Sequence, residues 1–143
     1  MREYLSGSHT IWDCKYHAVW IPKCRRKVLY GQLRQDLREV IRDLAAQRES
    51  SIVEGHLMPD HVHVVVSIPP KYAVAQVIGY LKGKSAIHVA RTMGRKRNFV
   101  GQNFWARGYL VSTVGLDEET IRAYVRNQEK EDRRIDQLSL LEE

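Results

Sequence analysis

Short runs in which apolar residues alternate with others, longer stretches in which they recur at helical spacing, and the order of the two along 143 residues predict an α+β fold. The order is strand, helix, strand, strand, helix, strand, then one more helix. It suits a ferredoxin-like βαββαβ sandwich with an antiparallel sheet and helices on one face. A chain of this length fits a single domain with a genuine core. Residues 1–116 are expected to form that core and 117–143 a C-terminal helix and tail.

Each element has its own signal. Residues 9–20 put Trp12, Cys14, Tyr16, Ala18 and Trp20 on one side of an extended chain, and Pro22 ends the run. Leu33, Leu37, Val40, Ile41 and Leu44 then recur at helical spacing, which predicts an amphipathic helix over about 33–48. Residues 51–57 are a strand candidate, and Met58-Pro59-Asp60 is turn chemistry. The clearest strand is 61–68, where Val62, Val64 and Val66 share a face and Pro69-Pro70 closes it. Val74, Val77, Ile78 and Leu81 open a second helix expected to reach about Thr92, although Gly79 and Gly83 each weaken it by roughly 1 kcal/mol relative to Ala. A basic, glycine-punctuated loop over 93–101 follows, then a strand over 104–114 interrupted near Gly108. Asp117 can cap a third helix whose first turn carries Glu118 and Glu119.

Composition narrows the function classes. The N-terminal Met1-Arg2-Glu3 leads into no apolar segment and no run approaches spanning length, so a cytoplasmic protein without membrane contact is expected. Cys14 and Cys24 are too few and too widely spaced for a zinc knuckle and read as packing residues or bystanders. Lys and Arg total 23 against 17 Asp and Glu, a formal charge of +6 that favours a polyanionic partner. Distribution says more than the sum. No carboxylate lies between Asp60 and Asp117, whereas Lys71, Lys82, Lys84, Arg91, Arg95, Lys96, Arg97 and Arg107 do, and a second basic knot runs from Lys23 to Lys27.

His61 and His63 fall two apart on the valine strand and therefore point to one side, away from the valines. Such a pair chelates one divalent ion, or else is two surface histidines; the turn before it and the basic segment after it favour the first reading. On the third helix Ile121, Tyr124, Val125 and Gln128 recur at i, i+3, i+4 and i+7, so the apolar stripe carries a phenol and an amide. Tyr124 reads as a core aromatic with a wet tip and Gln128 as a boundary amide, or the two form half of a phosphoryl-transfer site. A phenol near pKa 10 is a poor nucleophile unless the phosphorus is made more receptive, which a bound divalent ion does. No G-x-x-x-x-G-K loop is present, in keeping with a phosphotyrosine ester that conserves the energy of the broken phosphodiester and lets the strand be rejoined without ATP.

His61-Val62-His63 matches a histidine-hydrophobic-histidine motif, and Tyr124 followed by Gln128 matches a YxxxQ arrangement. Supporting stretches are Tyr16-His17-Ala18-Val19-Trp20, Met58 through Pro70, Gly79-Tyr80-Leu81-Lys82-Gly83-Lys84-Ser85, and Phe104-Trp105 with Gly108-Tyr109. Over nearly its whole length the chain resembles the single-tyrosine transposases of insertion-sequence family two hundred, the two-hundred/six-hundred-and-five group. The resemblance implies that His61 and His63 bind Mg²⁺ or Mn²⁺, that Gln128 completes the protein ligands, and that Tyr124 attacks single-stranded DNA to give a 5′-phosphotyrosine link. It further implies hairpin DNA at element ends as substrate, and a homodimer in which one subunit's tyrosine helix completes the other's histidine site. Arg25, Arg26, Lys82, Lys84, Arg95, Lys96 and Arg97 become candidate backbone contacts, with Trp105 or Tyr109 to stack on an unpaired base. Three other readings compete. A REP-associated tyrosine transposase would share the chemistry but act on dispersed palindromes. A noncatalytic RNA-binding module of this fold would call for an RNP-type strand, which is absent, and a metal-dependent nuclease would use water and leave no covalent adduct.

Overall fold

The computed structural model describes residues 4–7, 10–23, 28–97 and 104–141; the side chains of 93–97, 132–133 and 135–141 lie outside the description. Its elements are β1 (Leu5–Ser6), β2 (Ile11–Trp12), β3 (Lys15–Trp20), α1 (Gly31–Gln47), β4 (Ser51–Met58), β5 (His61–Ser67), α2 (Val74–Arg97), β6 (Leu110–Ser112) and α3 (Glu118–Leu141). β1 and β2 make a small antiparallel ribbon. The four longer-range strands form one antiparallel sheet in the order β4-β5-β3-β6. From β3 to β6 the chain therefore runs βαββαβ, the ferredoxin-like arrangement expected from the pattern.

The alternation of β5 explains how the sheet acquires two different faces. Val62, Val64 and Val66 are almost fully buried, together with Ala18 and Trp20 of β3, beneath Leu37 and Ile41 of α1 and Val77, Ile78 and Leu81 of α2. At roughly 1.5–3 kcal/mol for each large apolar side chain, this layer supplies most of the drive to fold. The other face has a smaller cluster, in which Ile121 and Val125 of α3 cover Val19, Ile21 and Ala106. Asp117 starts α3 as expected, its Oδ1 accepting the Thr120 amide at 2.7 Å.

Three boundaries differ from expectation. The run over 9–20 is split between β2 and β3, so Trp12 belongs to the ribbon and not to the main sheet, and His9 lies outside the described residues. α2 continues to Arg97 through residues expected to form a loop. Met, Arg and Lys are good helix formers, and the roughly 1 kcal/mol cost of Gly94 does not stop a helix already several turns long. The strand expected over 104–114 shrinks to Leu110–Ser112 plus an isolated bridge between Trp105 and Pro22. Gly108, at φ +79°, breaks the ladder between them. Among the described residues no helix is long and apolar enough to cross a membrane.

Candidate metal and nucleophile site

β5 is the middle of the site because it is paired on both sides. Its register sets His63 opposite His56 of β4 and opposite Val19 of β3, and sets His61 opposite Met58. His61 and His63 thus stand on the face away from α1 and α2, as the alternation predicts. They border a hollow of about 1060 Å³ that also involves Asp60, His56 and the near side of α3.

Each histidine has one ring nitrogen already engaged. His61 Nδ1 is 2.8 Å from Asp60 Oδ1, which fixes the ring through that nitrogen. His63 Nε2 is 3.3 Å from His17 Nδ1, and the His56 ring lies on its other side with centroids 5.9 Å apart. Burial, followed by the proximity of His17, His56 and His61, lowers the His63 pKa below the usual histidine value. A neutral imidazole is the form that ligates a cation, so the environment of His63 suits a divalent ion. Two imidazoles fill two of the six positions around an octahedral ion. Among the described residues no group of three His, Cys, Asp or Glu is arranged to hold an ion, which leaves water, amide or phosphate oxygens to complete the sphere.

The C-terminal helix meets this hollow with one side only. Ile121 and Val125 dock on the sheet, and Glu118, Arg122, Arg126 and Glu129 border the histidine hollow. Tyr124 is half-buried and packs on the Val19 and Ile21 cluster, outside the hollow's lining. Gln128, one turn on, is half-buried and likewise outside the lining. The chain brings His61 and His63 together and directs Tyr124 and Gln128 elsewhere.

The candidate DNA contacts divide similarly. Lys82 is not a free cation: its Nζ donates to the Ala106 and Gly108 carbonyls at 2.9 and 2.6 Å. Burial lowers its pKa to about 8. Trp105 is only 6% exposed and sits edge-on to Trp20 and Phe104, its Nε1 donating to Ser85 Oγ at 2.9 Å, so its ring is engaged chiefly by internal partners. Tyr109 is half-buried against the main core. Lys84 does remain exposed, and with Arg107 and Tyr80 it edges a second hollow of about 500 Å³. Arg25 and Arg26 lie outside the described residues, as do the side chains of Arg95, Lys96 and Arg97, although the backbone of these last three ends α2.

Three neighbours of the histidine pair escaped the sequence reading: His17, His56 and Asp60. The phase of β3 carried a signal for the first, because His17 must oppose the face of Ala18 and Trp20. Its proximity to His63 depends on strand register, which one sequence does not disclose.

A family profile described as transposase, IS200 like, matches residues 10–128. The transposase for insertion sequence element IS200 of Salmonella typhimurium is 39% identical over 141 residues, 98% of this chain and 93% of the relative. The ISDra2 transposase TnpA of Deinococcus radiodurans is 31% identical over 128 residues, covering 88% of this chain and 91% of its own. A crystal structure from Deinococcus radiodurans R1, assigned to the transposases, superposes with TM-score 0.75 at 28% identity over 87% of this chain and 97% of the other. A REP-associated tyrosine transposase bound to a REP hairpin shares the fold at TM-score 0.54 and 18% identity, over 87% of this chain and 66% of its own. With a profile spanning most of its length and near-full-length relatives above 30% identity, the chain belongs to the IS200-like transposase family.

Proposed function

We propose that this transposase cuts and rejoins single-stranded DNA through Tyr124, with His61 and His63 holding a divalent cation beside the scissile phosphate. The observation that carries the reading is the histidine pair: two imidazoles on one rigid strand, facing one hollow and each oriented through one ring nitrogen. Mg²⁺ or Mn²⁺ bound there would neutralise charge developing on the phosphate and orient it for in-line attack. The Tyr124 oxygen forms the new bond to phosphorus as the bond to the 3′-oxygen breaks. The phenolic proton leaves to solvent, and the departing 3′-oxygen takes one up. One phosphodiester is exchanged for one phosphotyrosine ester, so the reverse reaction on another strand needs no nucleoside triphosphate.

Gln128 lies one turn on from Tyr124, on the same side of α3, and is the candidate third protein ligand through its carbonyl oxygen. Neither side chain lines the hollow of its own chain, and a homodimer that exchanges its helices would unite the site. Hairpin DNA at element ends is the proposed substrate, with Lys84 and Arg107 as exposed cations for its backbone.

The test is a denaturing gel after incubation with a single-stranded hairpin oligonucleotide from an element end and Mn²⁺. A slower protein–DNA adduct is expected for the wild type and none for Tyr124→Phe. Cleavage that persists in Tyr124→Phe would instead identify water as nucleophile, and binding without any cleavage would identify a noncatalytic module.

A further inference from the structure

Among the described residues, His63 is the central ring of three. Strand pairing places His56 directly across β4, while His17 lies one pleat along β3 from Val19 and reaches His63 on the diagonal. The His17 and His63 rings are tilted by 40° with centroids 5.5 Å apart, and the two facing nitrogens are His17 Nδ1 and His63 Nε2. A nitrogen engaged in a hydrogen bond has no lone pair for a cation. This contact therefore decides which nitrogen of His63 is left.

The geometry points to His17 as a positioning residue for the metal clamp, an inference that rests on the reading of His61 and His63 as the ligand pair. His17 Nδ1 accepts from His63 Nε2–H. That bond holds the neutral ring in the Nε2–H tautomer, fixes its plane, and leaves His63 Nδ1 as the donor atom. At His61 the assignment is reversed, because Asp60 accepts from Nδ1–H and leaves Nε2. The clamp is thus asymmetric, with one nitrogen of each kind. Its two orienting groups also come from different parts of the fold: Asp60 from the turn before β5, His17 from the neighbouring strand.

A neutral imidazole without such a partner divides between two tautomers and several ring orientations, and binds a cation less well for both reasons. Outer partners of this kind are worth about 10-fold to 100-fold in metal affinity. His17→Phe keeps an aromatic ring but removes the acceptor. His17→Asn places an amide close to where Nδ1 stood and restores it.

The experiment measures Mn²⁺ binding to the full chain without DNA, by calorimetry, for the wild type, His17→Phe, His17→Asn and His61→Ala, with thermal melts alongside. Long-range ¹⁵N–¹H spectra of the metal-free protein report the His63 tautomer. The expected result is the Nε2–H tautomer in the wild type, an affinity at least about 10-fold weaker in His17→Phe at an unchanged melting temperature, and recovery to within about 3-fold in His17→Asn. An Nδ1–H tautomer in the wild type, undiminished affinity in His17→Phe, or parallel loss of affinity and melting temperature in both His17 variants would overturn the assignment. His61→Ala separates the two levels: if it binds as tightly as the wild type, the ligand-pair reading fails and this inference with it. If His61→Ala loses the ion and His17→Phe does not, only the role of His17 falls.

Discussion

Arg122 and Tyr124, two residues apart on α3, face opposite ways: Arg122 borders the histidine hollow and Tyr124 packs on the Val19 and Ile21 cluster outside it. Two residues are roughly 200° around an α-helix, so no side-chain rotamer of Tyr124 exchanges the two directions. Either α3 rotates as a body or a second chain supplies the nucleophile. The second alternative predicts complementation. Tyr124→Phe and His61→Ala chains should each be inactive alone in the adduct assay, whereas co-folded equimolar mixtures should regain about a quarter of wild-type adduct, because about half of the dimers are then mixed and each of these holds one intact composite site of two. Mixtures as inactive as either parent would place nucleophile and histidines in the same chain.

Phosphate contacts should read out as salt dependence. Lys84 and Arg107 are the exposed cations at the smaller hollow, whereas the Lys82 ammonium is tied to two carbonyls. Neutralising one phosphate contact changes the slope of log affinity against log salt by about 1, or about 0.7 for single strands. The Lys84→Ala, Arg107→Ala double variant should therefore bind a hairpin oligonucleotide more weakly with a slope shallower by between 1 and 2 units. Fluorescence anisotropy between low and physiological salt measures this, and an unchanged slope would remove both residues from the interface.

How far the sequence disclosed this site depended on whether the information was local. The alternation that buried Val62, Val64 and Val66 necessarily turned His61 and His63 to the opposite face, and Asp117 capped α3 because a carboxylate before a helix finds the third amide on. Pairing partners were a different matter. His17 and His63 are 46 residues apart, and only register joins them. The periodicity of α3 was correct, yet it merged two directions: Ile121 and Val125 meet the sheet, while Tyr124 and Gln128 fall to one side of that stripe. Lys82 and Trp105 had the right chemistry for nucleic acid and were instead consumed by internal partners, which composition does not reveal.

Lys82 also gives the fold a pH dependence of determinable sign. Its desolvation outweighs the two carbonyl contacts and brings its pKa from 10.5 down to about 8. Between those values the unfolded chain holds the proton more often than the folded one, so the contribution of this group to stability rises with pH across that window and is flat below it. Lys82→Met removes the titration. The difference in unfolding free energy between wild type and Lys82→Met, followed by denaturant titration at several pH values, should move in favour of the wild type from about pH 8 upward. A difference that stays constant across the window would mean that Lys82 keeps its ordinary pKa.

The docking of α3 rests on few apolar contacts, and that makes it separable from the rest of the fold. Val125 and Ile121 are both 7% exposed and press on Val19 and Ile21, remote from the main core beneath α1 and α2. A buried Val contributes about 1.5 kcal/mol or more, while an unpaired carboxylate in its place costs several. Val125→Asp should therefore release α3 from the sheet sooner than unfold the βαββαβ core. Hydrogen exchange should show α3 amides losing at least about 10-fold in protection while those of β3 and β5 keep theirs. Uniform loss across β5 and α3 would mean that the helix is integral to the core, and a freely rotating α3 could then no longer explain how Tyr124 reaches a histidine pair.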